Sequence, residues 1–271
     1  MYPQREIFGK APLELVAAEV RYPYAPRLRQ QDTIDAILEQ LGSELPVLRK
    51  QQQVTIKVGA GGVAAPEAEE TPSFFNRGST AAAAVSPTAL TVETTNYSEF
   101  SEFRSLVLAV VEAVAIHGSI AAVERVGIRY IDEVRVPAKI ADVRDWRGWI
   151  HDDLLSMVDV AGDFPTTSSQ GMIEYQIDEK VKLQFRFAAA YGRGVVGEEP
   201  LKRRNSIQDP SSFFVLDFDC FSERDLEVAP DFEVDTIGEI LDSLHVPAGT
   251  MFQRAITDQL RDVFRGNDDE S

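Results

Sequence analysis

The stretch VERVGIRYIDEVRV, residues 123–136, decides how the rest of the chain is read. Val126, Ile128, Tyr130, Val134 and Val136 recur on one face at a period of two, and Arg125, Arg129, Glu133 and Arg135 occupy the other. That is the pattern of a strand with one buried side. A shorter version, LELVAAEVRY at residues 13–22, places Val16, Ala18, Val20 and Tyr22 inward, and Glu19-Val20-Arg21-Tyr22 aligns with Gly127-Ile128-Arg129-Tyr130. Outward from each strand the same order follows. A helix is expected after the first, with Ile34, Ile37, Leu38, Leu41 and Leu45 at helical spacing, Asp32 as N-cap and Pro46 as stop. A helix over 145–160 carrying Trp146, Trp149, Ile150 and Leu154 is expected after the second. Strands come next: 52–58 with Val54, Ile56 and Val58 inward, 73–84 and 88–95 in the first series; 171–177, 180–188 and 213–221 in the second. The acidic turn Asp178-Glu179 marks a hairpin. A helix closes each series, from Phe100 to Gly118 in the first, and as two stretches, 234–244 and 250–264, in the second. Residues 1–118 and 119–271 therefore read as tandem strand–helix–strands–helix units. Runs of hairpin-linked strands predict a mainly antiparallel sheet with helices packed on one face, an α+β fold.

The composition narrows the function. The chain has 271 residues, 44% of them hydrophobic, enough for a full core. Its 44 acidic and 27 basic side chains give a formal charge of −17, which argues against nucleic acid and anionic membranes as partners. Residues 209–271 hold sixteen acidic and four basic side chains, a net of −12, so the excess is concentrated in the last strand, the terminal helices and the Asp268-Asp269-Glu270 tail. One cysteine, Cys220, excludes an intramolecular disulfide, and MYPQREIFGK at the start lacks the apolar core of a signal peptide. A soluble cytoplasmic protein is expected.

Three segments carry a resemblance: residues 11–22 (APLELVAAEVRY), 123–132 (VERVGIRYID), and Leu241-Asp242-Ser243-Leu244-His245 with Phe252 and Ile256-Thr257-Asp258. Taken in that order they resemble a sporadically distributed bacterial family of unassigned function. The resemblance implies a bacterial cytoplasmic protein and supplies no catalytic residues. The chain departs from that pattern at Asp132-Glu133, where an amide is commoner, and in the Ala-rich 80–84.

Candidate chemistry centres on the polar sheet face. Arg21 and Arg129, related by the internal repeat, can clamp a carboxylate or phosphate. The plainer alternative is an ion-pair ladder with Glu19, Glu93, Asp217 or Asp219 on neighbouring strands. Asp217 and Asp219, two apart, share one face of their strand, a spacing used in metal-dependent phosphoryl chemistry. That chemistry needs a third ligand, for which His245 is the candidate. His117, His151 and His245 show no zinc-binding spacing, and no cofactor or resident metal is expected. Cys220 faces the apolar side and reads as core. Gly59-Ala60-Gly61-Gly62 lacks the lysine of a phosphate loop, and residues 59–72 (GAGGVAAPEAEETP) read as a connector. Lys202-Arg203-Arg204 reads as part of a solvated loop, or as a docking point.

The leading expectation is a non-enzymatic interaction or regulatory module whose acidic C-terminal surface engages a basic protein partner. The competing class is a small-anion or metal-dependent ligand-binding protein or hydrolase using Arg21, Arg129, Asp217 and Asp219. A third is a homo-oligomeric structural component pairing through exposed sheet edges.

Overall fold

The two strands that anchor the sequence pattern pair with one another. In the computed structural model, which describes residues 6–55, 58–59, 62–63 and 67–266, β1 (Leu13–Arg21) and β8 (Arg125–Val134) lie antiparallel. Glu19, the counterpart of Gly127 in the internal alignment, faces Gly127 across this ladder. A local two-fold axis therefore passes between those two residues, and each series of elements builds outward from it.

In the first series the chain leaves β1, forms α1 (Gln31–Gln40), and reaches the sheet edge at β2 (Val47–Thr55). A two-residue ladder, β3 (Val58–Gly59) with β4 (Gly62–Val63), follows. The chain then returns through β5 (Glu67–Phe75), β6 (Ala81–Val85) and β7 (Ala89–Thr94) to pair again with β1, and ends in α2 (Phe100–Gly118). In the second series it leaves β8 through two 3-10 segments, Val143–Trp146 and Asp152–Ala161. It reaches the opposite edge at β9 (Ser169–Gln176) and returns through β10 (Val181–Gly192) and β11 (Ser211–Glu223) to β8. There it ends in α3 (Val234–Ala255) and α4 (Asp258–Arg265). Among the described residues the sheet has nine strands in the order β2-β5-β6-β7-β1-β8-β11-β10-β9, with every pair antiparallel. The α+β fold is the one expected.

The core lies between this sheet and the helices. Val16, Ala18, Val20, Leu90, Val92, Val126, Ile128, Leu183, Leu216 and Cys220 meet Val107, Val110, Val111 and Val114 of α2 and Ile237, Leu241 and Leu244 of α3, all buried. Each such valine, leucine or isoleucine contributes about 1.5–3 kcal/mol on removal from water. Arg104 on α2 joins Asp242 on α3 through two hydrogen bonds, 2.7 and 3.0 Å.

Four local expectations are corrected. Asp32 lies inside the first turn of α1, Gln30 occupies the N-cap, and the helix ends at Gln40 before Pro46 is reached. The helix expected over 145–160 is two 3-10 segments, because Gly148 at φ +84° breaks the repeat and Ile150 is drawn into a bridge with Ile256. The two C-terminal stretches are one helix running through Pro247. The break comes at Ile256, after which Thr257 caps α4 by accepting from Leu260 N–H at 3.3 Å. The connector read over 59–72 holds the β3–β4 ladder and most of β5. Pro72 is tolerated there because β5 pairs at that point with β2 alone. The inward placement of Val54, Ile56 and Val58 concerns side chains outside the described residues.

Candidate functional site

The outer face of the sheet, away from the helices, carries the ion-pair ladder. Arg129 forks onto Asp217 with two hydrogen bonds of 2.7 Å, and Arg186 adds a third contact at 3.4 Å. Arg125 reaches Glu19 at 2.6 Å and Asp219 at 3.5 Å, and Arg21 holds the same Glu19 at 2.6 Å. Arg21 and Arg129 are two residues to either side of the local axis, one directly opposite Arg125 and the other opposite Ala17. Four residues of strand, roughly 13 Å, separate them along the sheet. Burial raises the Asp219 carboxyl against the pull of Arg125, Arg129 and Arg186. Among the described residues no group of three His, Cys, Asp or Glu side chains is placed to hold a metal ion. His245, the proposed third ligand, lies on the other side of the sheet.

Beyond this ladder the connection between β10 and β11 folds back across the outer face. Leu201 packs with Phe75 and Ala82, Lys202 N–H donates to Ser79 O at 2.7 Å, and Lys202 O accepts from Thr95 Oγ1 at 2.6 Å. The Arg203 side chain is 3% exposed and binds Glu133 at 3.0 and 2.8 Å, Glu14 at 3.0 Å and Val196 O at 2.6 Å. The solvated-loop reading of Lys202-Arg203-Arg204 is thereby corrected, since its middle residue is an internal cation. Burial raises Glu133, but the Arg203 hydrogen bonds and the Val195 and Val196 N–H groups outweigh it and hold the carboxyl below its ordinary range. Glu14 is raised, chiefly by burial. It stands at a β-bulge, where the β1–β8 register shifts between Leu13 and Leu15.

On the helix side the same bulge borders a cavity of about 410 Å³. Its floor is Tyr130, Asp132 and Phe218 of the sheet. One wall is His245, Ala248, Gly249, Phe252 and Gln253 of α3. The remainder comes from residues 6–9 and 11–13, residues 96–99 before α2, and Arg204. Tyr130 Oη and His245 Nδ1 are 2.8 Å apart, and the imidazole stacks on Phe100 at 4.0 Å with the rings 2° from parallel.

Asp132 is the unusual group. Its backbone lies between Leu13 on β1 and Leu216 on β11, its side chain shares the helix-facing side with Tyr130, and the residue is 4% exposed. Among the described residues no group hydrogen-bonds its carboxyl. Burial first, then the nearby Asp217 and Glu14 carboxylates, push it well above the usual carboxylate range. Among the described residues Glu14, Glu133 and Asp217 each have a guanidinium partner, whereas Asp132 borders the cavity.

The local two-fold shows what this space would otherwise be. Tyr22, the counterpart of Tyr130, meets Phe232 edge-on at 5.6 Å, just before α3. Tyr130 meets Tyr97 edge-on at 6.1 Å, just before α2. At the first position the Tyr22 hydroxyl donates to Ser86 O at 2.9 Å and the ring is 1% exposed, so the place is filled. At the second the equivalent place is open, polar and concave.

No family model, curated protein or solved structure matches the chain.

Of the four residues nominated from sequence, Arg129 and Asp217 are brought together, Asp219 lies beside Arg125, and Arg21 stands apart. None lines the cavity. The cavity residues were missed because they come from six separated stretches. Asp132 did leave one signal: a carboxylate at an inward position of an otherwise apolar face, in register with Val126, Ile128 and Tyr130.

Proposed function

We infer that the chain is a small-ligand-binding module whose site is the cavity between β8, β11 and α3. The reading is carried by Asp132, a carboxyl that is almost wholly buried, has no hydrogen-bond partner among the described residues and opens onto a cavity large enough for a small molecule. Leaving a polar group buried and unpaired costs on the order of 1–3 kcal/mol, and a ligand that pairs with it relieves that cost. A mixed apolar and polar lining, with Phe8, Phe218 and Phe252 beside Asn96, Ser98, Tyr130 and Gln253, supports the same reading.

The acidic-surface interaction reading draws less support from the geometry. Among the described residues, five of the sixteen acids in residues 209–271 are paired within the chain, three of them by arginines from outside that segment. Asp217 is held by Arg129, Asp219 by Arg125, Asp242 by Arg104, Asp258 by Arg261 and Asp262 by Arg265. The tail acids Asp268, Asp269 and Glu270 lie outside the described residues.

The test is a thermal-shift screen of small aromatic and heteroaromatic compounds on the wild type and on a Leu13→Trp variant that fills the cavity. A compound present at 100 times its dissociation constant raises stability by about 2.7 kcal/mol. Shifts in the wild type that disappear in the variant are expected. Equal shifts in both would place binding elsewhere and defeat the reading.

A further inference from the structure

We propose that the occupant of this cavity is an organic cation, an ammonium or amidinium group seated on the Asp132 carboxylate and carried on a flat apolar body beside Tyr97, Tyr130 and Phe252. The proposal rests on the cavity being a ligand site and adds the chemistry of the ligand.

Three observations favour a cation. Among the described residues the charged side chains lining the cavity are Glu6, Glu99 and Asp132 against one guanidinium, Arg204, with His245 and the Tyr97 and Tyr130 hydroxyls completing the titratable set. Glu6 is itself paired, through hydrogen bonds of 2.6 and 2.7 Å from Arg265. Behind the floor, Asp217 and Glu14 add negative potential at Asp132. An anion entering here would meet one cation and several carboxyls, whereas a cation meets a field of the opposite sign that low polarisability strengthens. The walls are also suited to positive charge, because ring faces attract cations within about 6 Å. Finally, the absence of any three-ligand group among the described residues argues against a bare metal ion. An amidinium offers two parallel N–H groups to two carboxylate oxygens, the strong bidentate arrangement that Arg129 and Asp217 already make on the outer face.

Cation binding ionises Asp132, so a proton leaves the carboxyl for solvent as the ligand enters. Affinity for a permanently charged ligand should accordingly rise from acid to neutral pH.

Three isosteric probes separate the outcomes: benzamidine, benzamide and benzoate, titrated into the full chain and followed by melting temperature and calorimetry. Benzamidine is expected to bind at least about tenfold more tightly than either of the others, and Asp132→Asn should erase that preference. Benzamide or benzoate binding as tightly as benzamidine, with Leu13→Trp abolishing it, would overturn the cationic class while leaving the cavity as a ligand site. Binding of none of the three would overturn both. A benzamidine preference that survives in Asp132→Asn would overturn the assignment of the carboxyl.

Discussion

Replacing Arg203 with methionine tests the reading of the β10–β11 connection as a staple. The guanidinium makes four hydrogen-bonding or ionic contacts, to Glu133, Glu14 and Val196 O, at 2.6–3.0 Å. It is 3% exposed, and its partners Glu133 and Glu14 are 0% and 10% exposed at their side chains. Screening by solvent is therefore slight. Methionine keeps most of the volume and removes the charge, leaving two buried carboxyls side by side. Breaking such a group by removing one partner costs about 3–5 kcal/mol. For a chain of this length that is a fall in melting temperature of about 6–10 °C. The pH dependence identifies the cause. In the wild type Glu133 is held below its ordinary range, so its contribution is present at neutral pH and lost on acidification. In the variant Glu14 has lost its cation and Glu133 keeps only the 3.7 Å contact to Arg135, and protonation relieves the repulsion. The penalty should be largest near neutrality and shrink as pH falls through the ordinary carboxylate range. Urea denaturation of both proteins at several pH values measures this directly. A loss under about 1 kcal/mol, or one that does not change with pH, would refute the staple. A triple replacement, Arg203→Met with Glu14→Leu and Glu133→Leu, should regain much of the loss, because apolar groups of similar volume often match a buried ionic cluster.

Asp132→Asn should stabilise the ligand-free protein at neutral pH. The folded-state carboxyl is raised, so its favourable share is complete below the unfolded value and is lost as pH rises through the folded one; melting curves against pH should show the wild type falling away relative to the variant as pH rises. Arg129→Ala leaves the largely buried Asp217 with only the 3.4 Å contact to Arg186 and should cost about 1.5–3 kcal/mol in chemical denaturation. Cys220, fully buried with its thiol pushed up to about 12, should resist thiol reagents in the native state and react at the unfolding rate, as a labelling time course under increasing urea would show. Tyr130→Phe removes the hydroxyl beside His245 and should lower stability by about 1 kcal/mol.

The sequence made the strands legible where one face is apolar and the other charged. Residues 13–22 and 123–136 declare themselves by alternation, and the residues of their four-residue match, Glu19 and Gly127 among them, lie on strands that pair with one another. The second helix was equally plain, because Phe103, Val107, Val110 and Val114 recur on one stripe. Misreadings fell where a tertiary contact outweighs a local pattern. Trp146 and Ile150 are spaced as in a helix, yet Ile150 bridges to Ile256 and Gly148 turns the chain between them. The candidate site was hidden for a different reason. A cavity depends on what does not fill it, and the inward Asp132 beyond Tyr130 is the one mark it leaves in the sequence. Arg203 looked like surface because a basic triplet among glycines and prolines usually is; its two carboxylate partners, Glu14 and Glu133, lie far away in sequence.

The most direct measurement follows the aspartate side-chain carboxyl carbons by NMR with pH, free and with benzamidine. The account predicts one resonance, absent from Asp132→Asn, that titrates above the ordinary carboxylate range in the free protein and shifts toward that range when benzamidine is added. A free-protein spectrum in which every aspartate titrates in the ordinary range, or an Asp132 resonance unmoved by saturating benzamidine, would contradict it.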